Sequence, residues 1–148
     1  MTTHAHRFTT FCGLVVLSLA PHTARAEEPE PRIISASMTC DRAIEPGRVR
    51  CTVDAHAEGQ RVLPWADVTI ATLPPNTAAL KGRIGPSDTT LREPAHARWA
   101  LGLVAKTALH GEARAKVRAV VCDAPPASPP VRCAPVVVEV HAILDVGN

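Results

Sequence analysis

Residues 34–57 read ISASMTCDRAIEPGRVRCTVDAHA, and this stretch decides the fold of the chain. Apolar and polar side chains alternate on both sides of the turn sequence EPG at residues 45–47. A period of two predicts strands with one buried face, and the turn joins them into an antiparallel hairpin. The register that places Cys40 opposite Cys51 matches apolar residues throughout, with Met38 opposite Val53 and Ala36 opposite Ala55. The hairpin therefore predicts a Cys40–Cys51 disulfide.

A second hairpin is predicted near the end of the chain, where residues 113–121 and 136–144 alternate in the same way. Placing Cys122 opposite Cys133 again matches apolar residues and sets Lys116 against Glu139, an opposite-charge pair. The alternation of apolar and polar residues puts this second disulfide on the polar face of the hairpin, unless a bulge near residues 120–121 turns it inward. Residues 123–130, which contain four prolines, form a stiff loop between the two strands.

The first 26 residues have the pattern of an export signal. Arg7 precedes the apolar run at residues 11–20, and the small-residue cleavage sequence ARA occupies residues 24–26. The run is too short for a membrane span, which needs about 20 residues. We expect cleavage after Ala26, an acidic proline-rich mature terminus at residues 27–32, and a single domain at residues 33–148. No transmembrane anchor is expected after processing, and the location is periplasmic or extracellular.

Loss of this segment changes the charge and cysteine counts. Arg7 and Arg25 are its only charged residues, so the 16 basic residues fall to 14, equal to the 14 acidic ones. A neutral chain lacks the positive field that nucleic acid binding requires. Cys12 leaves with the signal, and the remaining cysteines are Cys40, Cys51, Cys122 and Cys133. An even number in an exported chain predicts disulfides, since the short knuckles typical of zinc sites are absent.

The middle of the chain is harder to interpret. Residues 66–70 predict a third strand, residues 76–84 a short edge strand, and residues 85–94 a loop. Residues 97–105 alternate as a strand, although Pro94 and Gly111 would also suit an alanine-rich helix. We favour a strand because a three-residue loop at 109–111 would pair it with the next strand. That register sets Ala105 opposite Ala115, Leu103 opposite Val117 and Leu101 opposite Ala119.

Six or seven short strands without a convincing helix predict an all-β fold, a two-layer antiparallel β-sandwich of about seven strands. A small barrel is the alternative. The sequences ARWAL at residues 97–101 and EARAKVRAVVC at residues 112–122 resemble the late strands of bacterial immunoglobulin-like and fibronectin-like domains. The resemblance implies an immunoglobulin-like sandwich of the adhesive or scaffolding kind. The chain departs from antibody-type domains, because it has no tyrosine corner and its cysteines fit local hairpins.

The sequence of residues 27–148 contains no GxSxG, HExxH, P-loop or GxGxxG motif, and no cofactor is expected. Weak metal candidates are the histidines of that part of the chain, His56, His96, His110 and His141. None forms an i, i+2 pair on one strand, so exposed histidines are the simpler interpretation.

Arg114, Lys116 and Arg118 form a cationic stripe on one face of a predicted strand. The stripe is a candidate anion-binding site for a polymer, a lipid headgroup or an acidic protein. It would also serve as a solvated face that prevents edge pairing.

These observations predict an exported, non-catalytic binding or scaffolding domain. Its partner is expected to be another protein or an anionic envelope polymer. Two alternatives remain open. One is a small inhibitor of, or accessory to, an extracytoplasmic enzyme, acting through the proline-rich loops at residues 74–94 or 123–130. The other is metal binding through the histidines.

Overall fold

Nine strands form two antiparallel sheets in the computed structural model, which describes residues 32–124 and 131–147. The first sheet contains β1 (Ile34–Cys40), β2 (Gly47–Ala57), β4 (Thr77–Ala79), β6 (Thr89–Arg92) and β7 (His96–Ala105). The second contains β3 (Arg61–Thr72), β5 (Arg83–Ile84), β8 (Leu109–Asp123) and β9 (Cys133–Val146). The order of the first sheet is β1–β2–β7–β4, and β6 also pairs with β7. The order of the second sheet is β5–β3–β8–β9.

The fold is all-β, and the two sheets do not close into a barrel. No helix among the described residues is long and apolar enough to cross a membrane. The predicted signal at residues 1–26 lies outside the described residues. So do most of the segment 27–32 and most of the loop 123–130.

Both predicted hairpins are confirmed in strand pairing and register. In β1 and β2, Cys40 lies opposite Cys51, and their sulfur atoms form a disulfide. In β8 and β9, Cys122 lies opposite Cys133 and forms the second disulfide. The β8–β9 register has no shift, so the side chains of Cys122 and Val121 point to opposite faces of the sheet. Cys122 is nevertheless buried there, whereas Cys133 is exposed.

The predicted pairing of residues 97–105 with the following strand is wrong, although the strand itself is confirmed as β7. Strand β7 pairs with β2, and Leu103 lies opposite Val49 rather than Val117. Strand β8 belongs to the other sheet and pairs with β3 and β9. The buried side chains of β7 and β8 thus belong to the same core but to different sheets. Alternation identifies which residues face the core, but it cannot distinguish a hairpin from two strands facing each other.

The middle segment contains more regular structure than the sequence predicts. The third strand extends from Arg61 to Thr72, beyond the expected residues 66–70. The edge strand expected at residues 76–84 is two strands, β4 paired with β7 and β5 paired with β3. The loop expected at residues 85–94 contains a 3-10 turn at Pro86–Asp88 and then β6, which pairs with β7. Pairing with β7 satisfies backbone groups that a loop would leave to solvent.

The core contains residues of both sheets and consists mainly of alanine, valine and leucine. Trp99 on β7 is its largest fully buried side chain. The indole nitrogen of Trp99 donates a hydrogen bond to the carbonyl oxygen of Gly85 at 3.1 Å. This bond ties the segment between β5 and β6 to the centre of the domain.

Removing either disulfide is expected to lower the free energy of unfolding. The paired cysteines are 11 residues apart in both cases, and a loop of that length contributes about 2–3 kcal/mol. We therefore expect similar losses for the Cys40→Ala/Cys51→Ala and Cys122→Ala/Cys133→Ala variants in urea denaturation. Non-reducing peptide mapping of the unmodified protein checks the pairing, and a cross-link between the two hairpins would contradict it.

Candidate functional site

The cationic stripe lies on the outer face of the second sheet, but Arg118 is held by a buried carboxylate. Asp67 on β3 is completely buried, and it is the only buried charged residue among those described. Arg118 Nε donates to Asp67 Oδ1 at 2.8 Å, and a second guanidinium nitrogen of Arg118 also bonds this carboxylate. Arg83 Nε donates to Asp67 Oδ2 at 2.6 Å. We call Asp67, Arg83 and Arg118 the Asp67 cluster; it joins β3, β5 and β8.

The Asp67 cluster keeps its carboxyl group ionised. Burial raises the pKa of Asp67, but hydrogen bonds from Arg118 and Arg83 and the two positive charges lower it more. The net pKa lies below the ordinary value. The guanidinium of Arg118 also lies 6.0 Å from the centre of the Trp65 ring. Arg118 is therefore part of the internal bonding of the sheet.

Arg114 is also paired with acidic side chains. Its guanidinium donates to Glu112 at 2.8 Å and to Glu139 at 3.3 Å. Lys116 lies opposite Glu139 as expected, but the carboxylate of Glu139 pairs with Arg114 instead. Within the described part of the chain, Lys116 is the one cation of the stripe without an ion pair closer than 4.0 Å.

Two of the candidate histidines come together on the outer face of the first sheet. His56 on β2 lies opposite His96 on β7, and their rings stack with centres 5.5 Å apart. His96 Nε2 lies 2.8 Å from Asp54 Oδ1, and Arg98 Nε donates to the same oxygen at 2.8 Å. His56 Nδ1 is 3.1 Å from the carbonyl oxygen of Ala95. We call Asp54, His56, His96 and Arg98 the Asp54 cluster.

The Asp54 cluster also contains an ionised carboxylate. Burial raises the pKa of Asp54, whereas hydrogen bonds and charges from His96 and Arg98 lower it below the ordinary value. The sequence pattern did not reveal this cluster, because Asp54 meets His96 only through the pairing of β2 with β7.

The other two histidines lie apart from the Asp54 cluster. His110 and His141 are in the second sheet, with nearest acidic oxygens at 3.7 Å (Asp145) and 4.0 Å (Glu112). Across residues 32–124 and 131–147, no three metal-binding side chains gather into one site.

A third surface lies where β1 and β9, each at one edge of its sheet, run side by side. We call the space between them the seam. At the start of both strands it contains a groove of about 450 Å³. Five apolar residues line it, Ile33, Ile34, Ala36, Val136 and Val138, together with Arg32, Ser35 and Glu139. Of these five apolar residues, only Ile34 is fully buried. A groove of about 230 Å³ continues it along Glu139 and His141.

One edge of β9 faces away from β8, and only its last residues make backbone hydrogen bonds on that side to another described residue. Ala43 donates to the carbonyl of Asp145 at 3.0 Å and accepts from the amide of Gly147 at 2.8 Å. The carbonyl of Asp145 and the amide of Gly147 therefore point away from β8. Because backbone groups alternate sides along a strand, Val137, Glu139, His141 and Ile143 also face away from β8. In the ranges that the structure describes, no backbone hydrogen bond joins these four residues to β1.

Comparisons with known proteins give only weak similarity. No family model and no curated protein matches the chain. The solved structure of BslA, a bacterial hydrophobin, is similar with 10% identity and a TM-score of 0.32, covering 76% of this chain and 94% of that one. A structure of AAF fimbriae of enteroaggregative Escherichia coli, described in terms of fibronectin binding and biofilm formation, has 7% identity and a TM-score of 0.27. It covers 74% of this chain and 98% of the other.

Replacing Asp67 by asparagine should destabilise the protein by about 1–3 kcal/mol, because hydrogen bonds to a charged group are lost in a buried position. The matched control is Asp88→Asn, which alters an exposed ion pair with Lys81 and keeps an amide oxygen that can accept the hydrogen bond from the Gly85 N–H, so it should leave the stability almost unchanged. Chemical denaturation of both variants at neutral pH measures the difference.

The effect of Asp67 should also depend on pH. A carboxyl group with a lowered pKa stabilises the fold above its ordinary pKa, and this stabilisation is lost as the pH falls through the folded value. The stability difference between the unmodified protein and Asp67→Asn should therefore shrink below about pH 4. A difference that stays constant down to pH 2 would show that the charge of Asp67 is not its source.

Proposed function

We propose that the chain is an exported, non-catalytic domain of the periplasm or cell exterior that binds or scaffolds another protein. The two disulfides support the location, since disulfides persist in oxidising compartments. They also hold two of the hairpins, which gives a binding surface on these strands a stable frame.

The state of the acidic side chains supports a non-catalytic role. A general acid or base needs a pKa near the working pH, which for a carboxyl group means a raised value. The pKa values of Asp54 and Asp67 are instead lowered, and both carboxylates join neighbouring strands through arginine or histidine. Their geometry is that of structural cross-links.

The seam is the observation that carries the binding role. It combines half-exposed apolar side chains with a strand edge of β9 whose backbone groups, among the described residues, make no hydrogen bond to the neighbouring β1. An extended segment of a protein partner satisfies both features, because its backbone adds to the edge while alternate side chains enter the groove. The ion pairs of Arg114 and Arg118 favour a protein partner over an anionic polymer, since they neutralise most of the cationic stripe.

We also propose that the domain is an immunoglobulin-like β-sandwich. The order β1–β2–β7 with β4 and β6 at its edge corresponds to strands A, B, E and D of that fold. The order β5–β3–β8–β9 corresponds to C′, C, F and G. Both disulfides lie within a sheet, unlike the inter-sheet bond of antibody domains.

The export prediction has a direct measurement. Protein recovered from the cell envelope should begin at Glu27, and after denaturation without reductant it should contain no free thiol. Intact-mass analysis and thiol titration check both points. Membrane-bound material that retains residues 1–26 would contradict the proposed processing.

The binding role is tested by photo-crosslinking in the producing cells. A photoreactive amino acid at Ser37, which is exposed on β1 beside the seam, should give a discrete protein adduct. The matched position is Ala78, which is exposed on β4 at the opposite edge of the same sheet and should give none. Equal adducts at both positions, or none at Ser37, would contradict the assignment of the seam as the binding surface.

A further inference from the structure

The outer face of the first sheet carries a polar pocket beside the seam. Strands β1, β2 and β7 lie side by side there, and their registers form two cross-strand rows. One row contains Ser35, His56 and His96, and the next contains Ser37, Asp54 and Arg98. The six side chains share one face, because alternate residues of a strand point to the same side. All of them except Arg98 line a pocket of about 260 Å³, which we call the Ser35 pocket.

The two histidines of the Ser35 pocket each retain a hydrogen-bond acceptor. A carbonyl oxygen only accepts, so His56 Nδ1, which lies 3.1 Å from the carbonyl oxygen of Ala95, carries a proton. In the neutral ring the lone pair is then on Nε2. The ionised carboxylate of Asp54 accepts from His96 Nε2 at 2.8 Å, which leaves the lone pair of that ring on Nδ1.

The remaining side chains of the pocket also offer acceptors. His96 and Arg98 both donate to Oδ1 of Asp54, and Oδ2 has no hydrogen bond to any residue that the structure describes. Ser35 and Ser37 are exposed, and their hydroxyl groups have no partner in the described part of the chain. A hydroxyl oxygen accepts as well as donates. The pocket therefore suits a ligand rich in donors.

The charges around the Ser35 pocket favour a cation. Glu93 Oε2 lies 3.9 Å from His96 Nδ1, so two acceptors face each other without a donor between them. Arg98 balances the charge of Asp54, with Nε 2.8 Å from Oδ1. With both rings neutral, the charge of Glu93 remains unbalanced, and a positively charged donor would compensate it.

We propose that the Ser35 pocket binds the ammonium group of a lysine side chain on the protein partner. This proposal rests on the proposed function and names the chemistry of the partner beside the seam. An ammonium group brings one positive charge and three donors, which match Asp54 Oδ2, His56 Nε2 and a serine hydroxyl. A metal ion matches less well, since the described residues do not bring three metal-binding side chains together.

The Ser35 pocket is continuous with the apolar groove of the seam. Ser35 and Ala36 line both. A lysine bound in the pocket thus places the adjoining residues of the partner over β1, where aliphatic side chains can contact Val136 and Val138. Strand β1 keeps its place against β9 in this arrangement, because the partner lies across the outside of β1. The partner segment is therefore one in which a lysine adjoins aliphatic residues.

Nuclear magnetic resonance of the processed, ¹⁵N-labelled protein tests the proposal with two blocked tripeptides. One has lysine between two valines, and the other has norleucine, which lacks the ammonium group, in place of lysine. The lysine peptide should shift the amide signals of Ser35, Asp54, His56 and His96 saturably, with a Kd on the order of 1 mM. The norleucine peptide should bind at least about tenfold more weakly, because it makes no charge-assisted hydrogen bond.

A matched pair of variants tests the role of the carboxylate. Asp54→Asn should weaken binding of the lysine peptide by about tenfold, because the ammonium group loses its charged acceptor. Asp145→Asn is the control. Asp145 also pairs with an arginine, and its side chain is 35% exposed against 31% for Asp54, but it lies on β9 outside the pocket. This variant should bind the peptide as the unmodified protein does.

Three results would overturn the proposal: equal binding of the two peptides, no binding of the lysine peptide up to about 20 mM, or undiminished binding by a folded Asp54→Asn variant. If that variant does not fold, the comparison of the peptides decides, since it needs no change in the protein. The proposed function is judged separately by the Ser37 adduct. An adduct without a preference for the lysine peptide retains the binding role and refutes the lysine pocket.

Discussion

The burial of Trp99 in the core is the interaction on which the rest of the structure depends. The core is built mostly from small aliphatic side chains, and Trp99 is its largest member. Burying an indole requires a partner for its N–H group, and the carbonyl of Gly85 provides it. That bond fixes the start of the 3-10 turn, after which β6 returns to pair with the strand that carries Trp99. One side chain thus organises both the core and the long middle segment.

The charged residues of the outer faces act mainly within the protein. A buried carboxylate such as Asp67 is costly to desolvate, and two guanidinium groups compensate for that cost. The same arginine cannot also present its full charge to an external anion. A stripe that is continuous in the sequence therefore becomes discontinuous in the structure, with Lys116 between two neutralised arginines.

The parts of the fold that could be predicted from sequence are those fixed by short-range signals. The β1–β2 and β8–β9 registers follow from alternation together with a cysteine in each strand. The partner of β7 could not be predicted, because its buried residues fit β2 and β8 equally well by alternation alone. The Asp54 cluster and the Asp67 cluster each depend on pairing between strands distant in sequence, so no local pattern indicates them. The seam was missed for the same reason, since it exists only where the edges of two sheets meet.

The free edge of β9 is held at both ends. The Cys122–Cys133 disulfide fixes the beginning of the strand to β8, and Ala43 holds the last residues through two backbone hydrogen bonds. Between these points the edge of residues 137–143 is ordered by its pairing with β8, and among the described residues it has no backbone hydrogen-bond partner on its other side. Association usually costs conformational entropy when a flexible segment becomes ordered. The β9 edge is already ordered in the single chain, so binding costs only the conformational entropy of the added strand. A strand edge fixed in this way is suited to binding a polypeptide, and the apolar groove beside it adds side-chain contacts that hydrogen bonds alone do not provide.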